Sequence, residues 1–192
     1  MVIDIVLCRP FISMKEMYGS LEKAGSSEIP YSLLMLAAII REKGFSVKIV
    51  DPIITQQPNK TTANLINDLG PKIVGISIVT ITAYSAAILA QNLKKKNPNI
   101  KIIVGGPHIT SSAQETFSKY PFFDVGVLGE GELTITELLD YYIHGIGELS
   151  KINGIGFYAQ GLWRQTLPRS LIQNLDTRSE ERRVGKECRS RW

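Results

Sequence analysis

The chain has 192 residues, of which 44% are apolar, and it carries a formal charge of +4 at pH 7. This length suits one domain with a small appendage, and the apolar content can bury a substantial core, which excludes wholesale disorder. Residues 178–192 hold six basic and three acidic side chains and so account for +3 of the charge. The rest of the chain is nearly neutral, so we expect no nucleic-acid partner.

Two further classes of protein are excluded by the same inspection. No apolar run reaches the ~18 residues of a membrane-spanning helix, and MVIDIVLCRP lacks the features of a signal peptide, so we expect a cytoplasmic protein with no membrane partner. Cys8 and Cys188 lie at opposite ends without CxxC spacing, which indicates neither a disulfide framework nor a metal site. The segment 178–192 has no apolar periodicity, and we interpret it as a non-native tail.

Short apolar strands alternate with helical segments along the rest of the chain. Most of the strands are continuous apolar runs, as expected for parallel strands covered on both faces. They are predicted at 3–8, 47–51, 73–79, 100–104 and 124–128. This alternation predicts an α/β fold, namely a Rossmann-like, doubly wound, five-stranded parallel sheet in the order 2-1-3-4-5.

The predicted helices have recognisable ends. A proline precedes YSLLMLAAIIREK and a glycine follows it, and TTANLINDL ends at a glycine and a proline. TAYSAAILAQNLKKK has its lysines at the C-terminal end, where they complement the helix dipole. Ser112 with Glu115 and Thr134 with Glu137 have the spacing of capping boxes, which predicts that two helices begin at these serine and threonine residues.

The last part of the chain has a different pattern. INGIGFYAQGLWRQTL predicts two short strands joined at Gln160-Gly161, a small C-terminal hairpin extension, and RSLIQNLD leads out of the domain. We therefore divide the chain into a Rossmann-like domain at 1–148, the hairpin and lead-in at 149–177, and the tail at 178–192.

In doubly wound sheets, ligands bind beyond the carboxyl ends of the strands, and the unusual residues of this chain are found there. The first strand is followed by RPFISMKEMYGSLEKAGSSEIP, an irregular loop of about 22 residues, a length typical of functional loops. Ser77 and Thr80 come at the end of the third strand, GGPH follows the fourth, and GEGE follows the fifth.

The GGPH segment is the first candidate site. Gly105 and Gly106 remove side chains where the backbone leaves the sheet, which would let a ligand approach the main chain, although a structural tight turn explains them as well. Pro107 stiffens the exit. His108 as a metal ligand would need His144, which we predict at the opposite edge of the sheet, and no nucleophile pattern supports His108 as a general base.

The GVLGEGELT segment is the second candidate site. Gly129 and Gly131 lead into a helix N-terminus, while Glu130 and Glu132 would oppose a phosphate, so the loop suits hydroxyl, amide or ribose groups better. The alternative is that Glu132 only complements the helix dipole. Asp51 ends the second strand, but no GxGxxG follows the first, so we interpret it as a capping or loop-ordering residue rather than a ribose ligand.

Over residues 1 to about 177, the chain resembles the N-terminal region of cobalamin-binding-domain radical S-adenosylmethionine proteins. The segments that carry the resemblance are, in order, VKIVD, VGISIVT, IIVGGPHIT, DVGVLGEGE and INGIGFY with RSLIQNLD. The resemblance implies a module that holds cobalamin, with the nucleotide tail of the cofactor along the loops after strands 3, 4 and 5. The candidate cofactor-binding residues are Ser77, Val79, Thr80, Gly105, Gly106, Pro107, His108, Gly129, Glu130 and Gly131. It implies no catalytic residue and no metal ligand within this chain.

Two departures from that family pattern limit what the resemblance implies. The aspartate-x-histidine-x-x-glycine element is absent after the first strand, so cobalt would lack an axial histidine. CxxxCxxC is also absent, which assigns S-adenosylmethionine and a 4Fe–4S cluster to a barrel beyond this chain, its expected partner. The expected function is a cobalamin-binding module, not catalytic alone, of an enzyme for methyl transfer or radical rearrangement.

Two alternatives stay open. The first is a scaffold domain that has lost cobalamin and only supports the catalytic barrel. The second is a free-standing small-molecule enzyme that uses His108 and Glu130 as acid and base.

Overall fold

The computed structural model describes residues 3–24 and 29–170. Within these ranges five strands run parallel in the order β2-β1-β3-β4-β5. They are β1 Ile5–Cys8, β2 Val47–Val50, β3 Ile73–Ser77, β4 Lys101–Gly105 and β5 Val125–Val127. The predicted fold class and strand order are therefore confirmed.

Helices connect these strands, including two short ones, at Met14–Tyr18 and Pro52–Thr55, that the sequence pattern did not predict. They are α1 Met14–Tyr18, α2 Tyr31–Glu42, α3 Pro52–Thr55, α4 Asn59–Leu69, α5 Ala83–Lys96, α6 Pro107–Lys119 and α7 Glu132–Leu139. Short 3₁₀ segments occur at Gly19–Ala24, Thr80–Thr82 and Leu149–Lys151, and α7 continues as a π-turn over Asp140–His144. In the described ranges no helix combines the length and the apolar character needed to cross a membrane.

The predicted hairpin forms around the expected turn. Strands β6 Ile155–Ala159 and β7 Leu162–Gln165 are joined by Gln160 and Gly161, whose φ angles of 53° and 76° suit the tight turns that connect twisted antiparallel strands. Strand β6 pairs antiparallel with β5, so the hairpin lengthens the same sheet to seven strands.

Each face of the sheet is covered by a different layer of helices. Side chains of β3 and β4 alternate between the layers because successive residues of a strand point to opposite faces. Val74 and Ile102 pack in one core with α4, α5 and α6, whereas Ile73 and Ile103 pack in the other core with α2 and α7. These buried β-branched residues explain why the parallel strands are continuous apolar runs.

The long loop after β1 is more regular than the sequence pattern predicts. It contains α1, which begins with a capping box in which Ser13 Oγ accepts from the Glu16 backbone N–H at 3.2 Å, and Glu16 Oε2 accepts from the Ser13 N–H at 2.9 Å. The start of the loop is fixed to the domain because the Phe11 N–H donates to Asn59 Oδ1 at 3.0 Å. Residues 25–28 of the loop lie outside the described residues.

The capping box predicted at Ser112 and Glu115 does not begin a helix. Helix α6 begins at Pro107, directly after Gly106, because the fixed φ of proline suits the first helical position. Ser112 instead lies at a kink inside α6, with a non-helical φ of −141° and ψ of 33°.

The second predicted capping box, at Thr134 and Glu137, is also wrong. Helix α7 begins at Glu132, after Gly131, and both predicted capping side chains hydrogen-bond Arg169 instead. Of the lead-in RSLIQNLD the structure describes the first two residues, and the remainder, together with the tail 178–192, lies outside the described residues.

Candidate functional site

A cavity of about 330 Å³ opens at the carboxyl edge of the sheet, between α2 and α7. Its floor is formed by the ends of β1, β3, β4 and β5. One wall comes from the first two turns of α2, and the other comes from the loop Gly129–Gly131 and the start of α7. The site therefore lies beside the switch in strand order between β1 and β3, where doubly wound folds bind ligands.

The cavity exists because small residues occupy the floor. Gly75, Ser77 and Gly105 face the layer of α2 and α7, while the preceding inward positions on the same strands hold Ile73 and Ile103. Ser77 and Gly105 are directly paired in register. The Leu7 side chain covers Gly75, where an added Cβ would lie 2.7 Å from Leu7 Cδ2, so the open part of the floor lies over Ser77 and Gly105.

Ser77 supplies the polar group on this floor. Its hydroxyl makes no hydrogen bond to another residue within 3–24 and 29–170, although the side chain is partly buried. The surrounding floor consists of Leu7, Ile103 and Val127. A ligand with an apolar body and one hydrogen-bonding atom matches this lining.

The mouth of the cavity carries acidic charge. Glu130 and Glu132 line it, one in the loop after β5 and the other at the first position of α7. The position of Glu132 also complements the helix dipole, as the alternative interpretation predicts. Two carboxylates at the mouth disfavour a bare phosphate as the group that enters.

The two glycines of GGPH have different surroundings. A Cβ at Gly106, where φ is +101°, would lie 2.7 Å from the carbonyl oxygen of Ile78 and 3.1 Å from its nitrogen. Gly106 is therefore required by backbone packing, as the tight-turn interpretation predicts. A Cβ at Gly105 would meet only Val127, at 3.6 Å, so this position has room on the cavity floor.

His108 lies outside the cavity lining, and both of its ring nitrogens have partners. The Thr116 hydroxyl donates to the Ser112 carbonyl at 2.7 Å, so it accepts from the Nε2–H of His108 at 2.9 Å. Nδ1 then accepts from the Thr80 hydroxyl at 3.3 Å. His108 thus connects the loop after β3 to the second half of α6.

The second histidine is remote from this site. The His144 ring packs against Phe45, with centroids 5.2 Å apart, and Phe45 precedes β2 at the amino edge of the sheet. The two histidines therefore lie at opposite edges, as predicted. In the described ranges no group of three His, Cys, Asp or Glu side chains could hold a metal ion.

The structure brings six of the ten predicted site residues together around the cavity. They are Ser77, Gly105, Gly106, Gly129, Glu130 and Gly131. Val79 and Thr80 follow β3, and Pro107 and His108 form the start of α6, all four outside the lining.

Sequence reasoning missed Gly75 and the whole wall from α2. Gly75 stands inside an otherwise β-branched strand, and an interior strand glycine marks a close approach, so this signal was present in the sequence. Ser32, Leu33 and Leu36 of α2 gave no such signal, because their contribution depends on how the helix packs across the sheet.

Asp51 orders a loop, as predicted. It caps α3 by accepting from the Ile53 N–H at 3.0 Å, and it pairs with the Arg9 guanidinium at 2.6 Å. Cys8 lies nearby at the end of β1. Burial, and secondly the Asp51 carboxylate, raise the pKa of the Cys8 thiol far above its ordinary value, so this cysteine is not a reactive nucleophile.

Comparison with protein families and curated proteins yields consistent matches. The family described as B12 binding domain matches residues 19–139. The chain is 38% identical over 152 residues to an uncharacterized methyltransferase, PH0819, of Pyrococcus horikoshii, covering 79% of this chain and 33% of that protein. It is 29% identical to the anaerobic magnesium-protoporphyrin IX monomethyl ester cyclase of Rubrivivax gelatinosus, covering 73% of this chain and 26% of that protein.

Solved structures show the same fold. The radical S-adenosylmethionine methyltransferase TsrM of Kitasatospora setae, with cobalamin and a [4Fe-4S] cluster bound, aligns with a TM-score of 0.72 and 17% identity, over 91% of this chain and 30% of that chain. The cobalamin-dependent S-adenosylmethionine radical enzyme OxsB aligns with a TM-score of 0.70 and 20% identity, over 88% and 23%. The chain spans a third or less of the length of the curated relatives described above.

Proposed function

Since the chain belongs to the B12 binding domain family and is homologous to cobalamin-dependent radical S-adenosylmethionine enzymes, we propose that it is the cobalamin-binding module of such an enzyme. The observation that carries this proposal is the open cavity floor at Ser77 and Gly105. These residues leave space at the place in the fold where a large cofactor could rest against the backbone.

The lining fits one part of cobalamin well. The nucleotide tail ends in a benzimidazole ring, which is flat and apolar and has one ring nitrogen able to accept a hydrogen bond. The cavity offers an apolar lining and the Ser77 hydroxyl as a donor. A volume of about 330 Å³ is too small for the whole cofactor, so we propose that the tail enters and that the corrin stays at the mouth.

The surroundings of the mouth fit a large, flat, partly apolar group. Tyr31 and Leu34 of α2, Val79 and Ile81 after β3, and Leu133 of α7 are large apolar side chains left exposed near this edge. Tyr31 is 70% exposed and Ile81 is 66% exposed. Exposed apolar groups concentrated at one edge mark an interaction surface. We propose that the corrin and the remainder of the enzyme cover it.

The protein residues would bind and orient the cofactor. Bound cobalamin would supply a cobalt centre for methyl transfer or radical chemistry. Ser77 would hold the tail, and the walls from α2 and α7 would exclude water from it. The loop over residues 9–24 contains no histidine, so it would provide no imidazole to cobalt. At its start, Arg9 pairs with Asp51.

The decisive experiment measures binding of hydroxocobalamin by absorbance and calorimetry to the wild type, Gly105→Val and Gly126→Ala. Gly105→Val places a side chain on the cavity floor where there is room, so we expect at least a tenfold weaker affinity with a folded protein. Gly126→Ala is the control for a loss of stability away from the cavity, because its Cβ would point into the other core, 3.1 Å from Ile109 and Phe117. We expect Gly126→Ala to lower the melting temperature and to leave the affinity unchanged.

The same measurement separates this function from the scaffold alternative. Binding at 100 times the dissociation constant should raise the free energy of unfolding by about 2.7 kcal/mol. If hydroxo-, methyl- and adenosylcobalamin all leave the melting temperature and the absorbance spectrum of the wild type unchanged, the domain supports a catalytic partner without holding the cofactor.

A further inference from the structure

Arg169 is held by three groups although it lies after the last strand. Its Nε–H donates to Thr134 Oγ1 at 2.8 Å, and its Nη2 hydrogen-bonds the Glu137 carboxylate and, at 3.3 Å, the Asn153 carbonyl oxygen. The arginine side chain is 14% exposed. A long cationic side chain is rarely buried to this extent unless it is paired, and these three contacts offset its desolvation.

Two of the three partners belong to the helix that forms a wall of the cavity. Thr134 and Glu137 lie on α7, whose Glu132 and Ile135 line the cavity. Successive residues of an α-helix are rotated by about 100° around its axis. Viewed along the axis of α7, the mean direction of Thr134 and Glu137 is therefore roughly 160° from the mean direction of Glu132 and Ile135, so the two pairs lie on nearly opposite sides of the helix. Arg169 therefore holds α7 from the side opposite the cavity.

The segment that carries Arg169 is itself fixed at the carboxyl edge of the sheet. The Gly154 N–H donates to the Leu167 carbonyl at 2.8 Å, and the Gly154 carbonyl accepts from the Leu128 N–H at 2.8 Å. A Cβ at Gly154, where φ is +74°, would lie 3.2 Å from the Leu128 carbonyl oxygen and 3.3 Å from Arg169 Cβ. The end of β5, the loop before β6 and the segment after β7 thus pack tightly together behind α7.

We propose that Arg169 is a positioning residue that ties the α7 wall of the cavity to the segment by which the chain leaves the domain. A shift of that segment pulls on Thr134 and Glu137 and therefore moves Glu132 and Ile135 at the mouth. Arg169 thereby links the cavity wall to the downstream part of the enzyme. This inference rests on the proposed function for its ligand and for the downstream part of the enzyme, whereas the link between Arg169 and α7 is a property of the protein alone.

The test compares the 192-residue chain with its variants Arg169→Ala, Arg169→Lys and Lys151→Ala. Lys151 is the control, since its ion pair with Glu148 is close to the same loop but both side chains are largely exposed. Two quantities are measured: amide hydrogen exchange, peptide by peptide, and the dissociation constant for hydroxocobalamin. Exchange in β1 and α5, which do not contact Arg169, reports any global loss of stability.

We expect Arg169→Ala to speed exchange in α7 at least tenfold more than in β1 and α5, and to weaken hydroxocobalamin binding three- to tenfold. Arg169→Lys should change the exchange in α7 and the dissociation constant less than Arg169→Ala does. Lys151→Ala should change neither quantity. Equal changes in exchange across all elements, or faster exchange in α7 with unchanged affinity, would overturn the coupling. If the wild type binds no cobalamin, the proposed function fails, and the exchange data still show whether Arg169 holds α7.

Discussion

The imidazole of His108 donates through Nε2 to the hydroxyl oxygen of Thr116, 2.9 Å away, and so spans the kink of α6 at Ser112. Thr116 is only 4% exposed, and its own hydroxyl hydrogen is used by the Ser112 carbonyl. The most conspicuous histidine of the sequence is therefore a structural brace, with its other nitrogen bound to Thr80.

We expect His108→Ala to lower the free energy of unfolding by about 1–2 kcal/mol, because it leaves the buried Thr116 hydroxyl without its donor. The affinity for hydroxocobalamin should change less than threefold, since the ring lies outside the cavity lining. Denaturant unfolding and a binding titration check both values. Combining His108→Ala with Thr116→Val in a double-mutant cycle should show a coupling of about 1 kcal/mol. A variant that unfolds like the wild type but no longer binds the cofactor would contradict this role.

The neighbouring glycines should respond differently to the same small change. Gly106→Ala forces a Cβ against the Ile78 carbonyl at a positive φ, so we expect it to lower the free energy of unfolding by at least about 2 kcal/mol. Gly105→Ala adds a methyl group where there is space, and its effect on stability should stay within about 1 kcal/mol of zero. Chemical denaturation of the two variants measures the difference. Equal free energies of unfolding for the two variants would show that the contact between the added Cβ and the Ile78 carbonyl does not destabilise the fold.

Removing one partner of the ion pair between Arg9 and Asp51 should lower the free energy of unfolding far more than removing one partner of an exposed pair of the same protein. The Asp51 side chain is 8% exposed, and it also caps α3, so removing it leaves Arg9 and the Ile53 N–H without this carboxylate. We expect Asp51→Ala to lower the free energy of unfolding by about 3 kcal/mol. Glu148→Ala, which removes an exposed pair with Lys151, should cost less than about 1 kcal/mol. Thermal unfolding of both variants tests the ranking.

The buried thiol of Cys8 predicts a pH dependence of stability. Burial raises the pKa of Cys8 in the folded state, so the unfolded chain loses this proton first as the pH rises. The contribution of the protonated thiol is complete below about pH 8.5 and declines above it, by up to about 1.4 kcal/mol per pH unit. In Cys8→Ala the fall in stability between about pH 8.5 and 10 should be shallower. Burial also raises the pKa of Tyr142, so the comparison is confined to pH values below about 10.

Reactivity gives a second measurement for the same residue. Native Cys8 should resist iodoacetamide at pH 8 and should react after denaturation, as followed by peptide mass spectrometry. Rapid alkylation of Cys8 in the native protein would show that the thiol is accessible.

The sequence pattern sufficed for the parallel sheet, because each strand is an apolar run and each crossover contains a helix with clear ends. It also pointed to the edge of the sheet where the cavity lies, near the ends of β3, β4 and β5, since in this fold class the ligand edge follows from strand direction alone. Six of the ten named residues lie around the cavity for that reason. Features that depend on local spacing and strand direction can thus be predicted from the amino-acid sequence.

The remaining features depend on contacts between distant segments. Thr134 and Glu137 have capping-box spacing, yet Arg169, 35 and 32 residues further along, takes both side chains. Gly106 and Gly105 are adjacent and chemically identical, and only the position of Ile78 distinguishes their roles. In the same way α2 forms a wall of the cavity through packing that no local pattern encodes.

The hairpin at the end of the domain determines at which edge of the sheet the backbone leaves it. Strand β6 runs from the carboxyl edge of the parallel strands to their amino edge, and β7 returns the backbone to the carboxyl edge. A single added strand would have left the backbone at the far edge of the sheet, away from the cavity. With two added strands, the backbone at Thr166 lies again at the edge of the sheet that holds the cavity, where its N–H donates to the Ile155 carbonyl at 2.9 Å.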